Sequence, residues 1–187
     1  MISLMHLGKF LQTMTIYKSD KLNYIFFLCF FINLQVNASA NHNDSILIGA
    51  DAPPMSLKRL VGRGFVQSRD ILKVNNMVLV FFSSKNNQSL KMVSDLHQIK
   101  AGIKRTNIQY FLVNVFEDKE YLESFVNNKV YTIPVVMDKY GIALKMFNSE
   151  IVPLTIVINK GGKISYYKEG RSESELLNLI THIRSIE

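Results

Sequence analysis

VLVFFSSKNNQSLKMV, residues 78–93, changes period halfway. Val78–Phe82 is continuously apolar, β-branched and aromatic residues dominating, with no polar alternation. That pattern predicts a strand covered on both faces, as in a parallel sheet. From Leu90 the spacing is helical: Leu90, Val93, Leu96 or His97, and Ile103 share a face, and Gly102 stands near the end. Between the two lies the polar SSKNNQS of residues 83–89. Asn and Ser are preferred helix N-caps, because a side-chain oxygen can accept from the orphan N–H groups of the first turn. Asn86 or Asn87 is expected to cap, with Gln88 and Ser89 in the first turn.

The pattern repeats downstream. IQYFLVNVF (108–116) is a second apolar strand, and EDKEYLESFVNN (117–128) a charged helix with Tyr121, Leu122, Phe125 and Val126 inward. YTIPVVMD (131–138) reads as a short strand and YGIALKMFN (140–148) as a short helix. In VPLTIVINKGGKISYYKEG (152–170) two strands flank NKGG, a hairpin signal. The last helix, SESELLNLITHIRSIE (172–187), has capping-box spacing at Ser172 and Glu175 and a stripe of Leu176, Leu179, Ile180 and Ile183. Upstream, GRGFVQS (62–68) suggests a short strand around Phe65, and Pro53-Pro54 forbids helix in the segment before it. Strand–helix alternation closed by a hairpin and a helix predicts an α/β domain with a mixed sheet.

The chain has 187 residues, 48% hydrophobic and 20% charged, ordinary for one globular domain. Its net charge of +7 is scattered, with no run of five basic residues and no interleaved aromatics, which argues against nucleic-acid binding. KLNYIFFLCFFINLQVNASA (21–40) has a lysine, an apolar run and the small-x-small ending Ala38-Ser39-Ala40, the layout of a secretory signal peptide. The run from Tyr24 to Ile32 is shorter than the ~20 residues a membrane span needs. The expected organisation is a signal peptide over 1–40, with Met14 as an alternative start, an extended entry segment over 41–62, and a domain over 63–187. The only cysteine, Cys29, lies in the leader, and Leu28 before it does not suit a lipobox. The exported chain would carry no thiol.

Four features in order resemble the TlpA/ResA-type branch of the thioredoxin superfamily, close to the AhpC/TSA peroxiredoxins: IGADAPPMSLKRLVGRGF (48–65), VLVFFSS (78–84), IPVVMDKYGIALKMFNSEIVPLTIVINKGGKI (133–164) and the capped terminal helix. The resemblance spans about residues 48–186 and implies a thioredoxin-like three-layer fold, a mixed central sheet flanked by helices. It places Pro153, preceded by Val152, at the family's cis-proline. In active members that loop faces a Cys-x-x-Cys pair and its backbone docks the substrate chain. Here the matching positions are Asn86 and Ser89, with Asn87 and Gln88 between. Lys85 stands where an aromatic residue is usual, and Val80 where the family keeps a polar one.

The chemistry follows from those residues. Thiol–disulfide exchange needs an attacking thiolate, and peroxiredoxin-type peroxide reduction needs one too. A serine nucleophile at Ser89 would need a base within hydrogen-bond reach. His97 lies eight residues along the same helix, ~12 Å away at helical rise, and His42 and His182 lie in other segments. There is no His-x-His or His/acid cluster at ligand spacing, so no metal or cofactor is expected. Met55, Met77, Met92, Met137 and Met146 are dispersed and expected to fill the core. KGG in the hairpin lacks the phosphate-loop pattern. The expectation is a redox-inactive protein exported to the periplasm or cell surface, touching the membrane only through an uncleaved leader. It would bind an envelope protein or extended peptide around Val152, Pro153, Lys85 and Asn87. The alternative is a thiol–disulfide oxidoreductase or peroxiredoxin-type enzyme.

Overall fold

A computed structural model describes residues 48–186. The leader, Cys29 and His42 lie outside the described residues. In chain order the elements are β1 (Ser56–Arg59), β2 (Phe65–Gln67), α1 (Ser68–Ile71), β3 (Asn76–Phe82), α2 (Asn87–Gly102), β4 (Ile108–Val115), α3 (Lys119–Asn127), β5 (Val135–Asp138), α4 (Ile142–Met146), β6 (Leu154–Ile158), β7 (Ile164–Glu169) and α5 (Glu173–Ser185). The strands pair in the order β2-β1-β5-β4-β3-β6-β7. The inner run β3, β4, β5 is parallel, whereas β6, β7, β1 and β2 join antiparallel. This is the α/β three-layer architecture with a mixed central sheet that the resemblance implied.

β3 is buried along its whole length, because it carries a strand on either side and a layer on either face. Its side chains alternate between two cores, as a strand's period of two requires. Met77, Leu79 and Phe81 enter one core with Ala143 and Leu144 of α4 and the neighbouring Phe147, whose ring meets Phe81 edge-on at 5.8 Å. Val78, Val80 and Phe82 enter the other, with Met92, Val93, Leu96 and Ile99 of α2, Leu122 of α3, and Leu179 and Ile183 of α5. Each large side chain so buried contributes roughly 1.5–3 kcal/mol, which makes β3 the element the fold can least spare.

Several inward residues differ from the expectation. Leu90 and His97 are only half-buried, because α2 turns Ser89, Met92, Val93, Leu96 and Ile99 to the sheet. Tyr121 is exposed, since Leu122 takes α3's inward position. Met55, Met77 and Met92 are core residues, but Met137 is half-buried and Met146 exposed, both bordering an open cavity.

The stretch read as an extended entry also supplies β1. Leu57 points into the core opposite Val66 of β2, and Arg59 pairs with Val136 of β5. Four residues are too few for a period-two signal to stand out. The NKGG turn joins β6 to β7: Asn159 Oδ1 accepts from Gly161 N at 3.0 Å and Lys163 N at 2.9 Å. Gly162 there adopts φ +79°, a left-handed conformation glycine takes without a Cβ penalty.

Candidate functional site

The end of β3, the start of α2 and the loop before β6 meet at one end of the sheet. β3 and β4 run parallel, so the loops following their carboxyl ends lie side by side, where open α/β sheets place their sites. Asn86 is the N-cap of α2, with extended backbone and its side-chain oxygen accepting from Ser89 N at 2.9 Å. Its amide nitrogen lies 3.4 Å from the carbonyl oxygen of Val152. The Val152–Pro153 peptide bond is cis. Pro153 O in turn accepts from Gly170 N at 2.7 Å, fixing the loop to the end of β7. One asparagine thus caps the helix and ties it to the cis-proline loop.

The other named residues differ in accessibility. Asn87 and Lys85 are exposed, with the Lys85 ammonium 5.2 Å from the centre of the Tyr121 ring. Ser89 is fully buried, and its hydroxyl has no hydrogen-bond partner among the described residues. Val80, buried beneath the cap, adds no polar group.

The loop rests on a polar cluster that the sequence reading did not single out. Glu117 is buried at 4% exposure, just past β4. One carboxylate oxygen accepts from Ser83 Oγ at 2.7 Å and Ser84 N at 2.8 Å, the other from Asn114 Nδ2 at 2.9 Å. A buried carboxylate is costly unless hydrogen-bonded, and three donors meet that need. Ser84 Oγ donates to Tyr121 OH at 3.3 Å, which accounts for that tyrosine's outward position. The available signal was Asn114, a polar residue inside an otherwise apolar strand, followed three residues later by an acid. Phe116 between them has φ +63° and is 55% exposed, and its ring lies against Gly141, where a Cβ would collide with it. Nearby, the hydrogen bond to Lys139 holds the Asp118 carboxyl below its ordinary range and the Lys139 ammonium above its own.

Neither described histidine hydrogen-bonds to this site. His97 engages Val93 O through Nδ1 at 2.8 Å and accepts from Thr132 N through Nε2 at 3.2 Å. His182 contacts Ser165 Oγ at 3.0 Å, and burial holds its pKa below the ordinary value. Among the described residues no three His, Cys, Asp or Glu side chains are grouped to hold a metal. A cavity of about 570 Å³ lies elsewhere, between β1, β5 and α4, with Lys58, Phe65, Met137, Tyr140 and Ile142 among its lining.

The AhpC/TSA family model matches residues 48–167. Thiol-disulfide oxidoreductase ResA of Geobacillus kaustophilus is 22% identical over 143 residues, which is 76% of this chain and 80% of that one. Among solved structures, one described as a candidate thiol:disulfide interchange protein DsbE from Chlorobium tepidum matches with a TM-score of 0.67 at 20% identity, covering 74% of this chain and 96% of that one. StoA from Bacillus subtilis matches at 0.58 and 19% identity, covering 70% and 97%. The chain belongs to the AhpC/TSA family and has a thioredoxin-like fold.

Proposed function

We propose that this is a redox-silent thioredoxin-fold protein, exported to the periplasm or cell surface, that binds an extended segment of an envelope protein at the Val152–Pro153 loop. The observation that carries it is chemical. The chain's only sulfhydryl is Cys29, and Asn86 and Ser89 stand at the head of α2. An asparagine amide and a buried hydroxyl cannot form a mixed disulfide, so the exchange chemistry has no nucleophile there. What such a site keeps is the docking loop, which can pair with an extended chain through its backbone. Asn86 Nδ2 already occupies the Val152 carbonyl, so an incoming strand would displace a weak 3.4 Å contact.

The purified protein is assayed for dithiothreitol-driven insulin reduction and for peroxide turnover, with a Pro153→Ala variant and a buffer blank. Activity above both controls would overturn the silent reading. Crosslinking in the native envelope fraction then tests binding, which P153A is expected to weaken. A family of oxidoreductase type favours a second reading, an active thiol enzyme, and that reading rests on Cys29 alone. Activity abolished by C29S would establish it.

A further inference from the structure

From Ala52 to Arg69 the chain carries Lys58, Arg59, Arg63 and Arg69 and no acid. None of these four side chains has an ion-pair partner among the described residues, and they lie within one stretch that holds no acid. Three of the four belong to the β1–β2 hairpin. Its register is Ser56↔Gln67, Leu57↔Val66 and Lys58↔Phe65, and Arg59 N donates to Gly64 O. Leu60 is buried and donates to Val135 O, which anchors the base. Val61–Gly64 are all exposed, with Gly62 and Gly64 at φ +86° and +90° making the turn. Val61 is 69% and Phe65 57% exposed. The hairpin therefore presents two exposed apolar side chains with exposed Lys58 and Arg63 beside them and Arg59 half-buried behind.

We propose that this hairpin is a contact for an anionic lipid surface. Lys58 and Arg63 meet headgroup phosphates, with Arg59 adding its charge from behind, and Val61 and Phe65 enter the boundary between headgroups and acyl chains. Cations near an anionic leaflet are attracted over about a Debye length, and arginine matches phosphate in a two-pronged geometry. Exposed apolar side chains gain from leaving water at the same interface. A narrow tip with glycines on both sides of Arg63 suits a bilayer, which needs no complementary pocket. An acidic protein would satisfy the charges but leave Val61 and Phe65 without a phase to enter. The inference is independent of the Val152–Pro153 loop, so its failure leaves the proposed function untouched.

The test is flotation of the full chain with phosphatidylcholine vesicles, with and without phosphatidylglycerol, over a salt series. The expected result is binding that requires phosphatidylglycerol and falls with salt. K58E/R59E/R63E is expected to lower partitioning about 100-fold at low salt. V61S/F65S should weaken binding with the salt slope retained, and either variant suffices if the other fails to fold. K91E/K129E/K160E, the same charge change on exposed lysines elsewhere, should keep most of the binding. Hairpin variants that float as well as wild type would overturn the proposal, since attachment would then lie in another segment. An equal loss in the distant triple variant would overturn it in favour of overall net charge. Soluble polyglutamate holding the chain as tightly as the vesicles do would overturn it in favour of an acidic polypeptide.

Discussion

Helices α2 and α5 begin with the same device. Asn86 Oδ1 accepts from Ser89 N at 2.9 Å, and Ser172 Oγ accepts from Glu175 N at 3.2 Å. The Ser172 hydroxyl has one further contact, Ser174 Oγ two residues on, in solvent. Asn86 reaches Val152, 66 residues away, and the loop before it is bound to the buried Glu117. One cap is local and exchangeable. The other is a tertiary joint. The comparison teaches that one capping device can be purely local or can rest on a connected polar support that fixes the helix start in place.

The most drastic way to break the comparison is to put sulfur back. An N86C/S89C variant is expected to form an internal disulfide on oxidation, because positions three apart at a helix start fall within the ~4.4–6.8 Å Cα range of a disulfide. Thiol titration and insulin reduction read it. A shifted N87C/L90C pair should stay inactive in insulin reduction, and activity in that pair instead would move the site by one residue.

Next in size is Glu117→Leu, which leaves Ser83 Oγ and Ser84 N without their carboxylate acceptor and Asn114 Nδ2 with only a 3.4 Å contact to Phe82 O. Urea unfolding should show a loss of about 3 kcal/mol. A loss under 1 kcal/mol would mean water replaces the carboxylate at little cost. The caps come third. N86A should cost about 1–2 kcal/mol and S172A about 1. N86S keeps a capping oxygen but cannot reach Val152, so the gap between N86A and N86S separates the cap from the joint. If N86S matches wild type, the joint contributes nothing to stability.

Smaller still, Ser89→Ala removes a buried hydroxyl with no partner and should be neutral or stabilising by up to about 1 kcal/mol. Clear destabilisation would reveal a partner for that oxygen. The smallest effect concerns α5. Burial depresses the His182 pKa, so the neutral ring is favoured in the fold. Its contribution is present above the unfolded value of about 6.5 and lost as pH falls through the lower folded one. The half-buried ring makes the effect slight. H182Q should flatten the acid limb of the stability–pH curve, and an unchanged limb would assign that slope to the carboxylates.

Much of this was readable in the chain. Val78–Phe82 announced a two-faced strand because no polar residue interrupts it, NKGG announced the second hairpin, and Ser172 with Glu175 announced the last helix. The Asn86 cap was readable to within one residue. β1 was not, because four residues after Pro53-Pro54 carry too little period to separate a strand from an extended loop. The inward faces of α2 and α3 were misread by a residue or two, since several registers fit a short apolar set and only the neighbouring sheet chooses among them.

By itself the sequence determined the order of elements from β3 onward, the caps, and the absence of any cysteine beyond Cys29, hence the chemistry available at α2. Periodicity, capping and thiol inventory act within a few residues or within a composition, so they can be read along a line. The tertiary structure alone decided that Glu117 gathers Ser83 and Ser84, that Asn86 meets Val152, and that Lys58, Arg59 and Arg63 stand without carboxylates among the described residues. Those outcomes depend on partners 33 to 66 residues apart or on charges that never come near. Only a folded sheet brings such groups together, or keeps them apart.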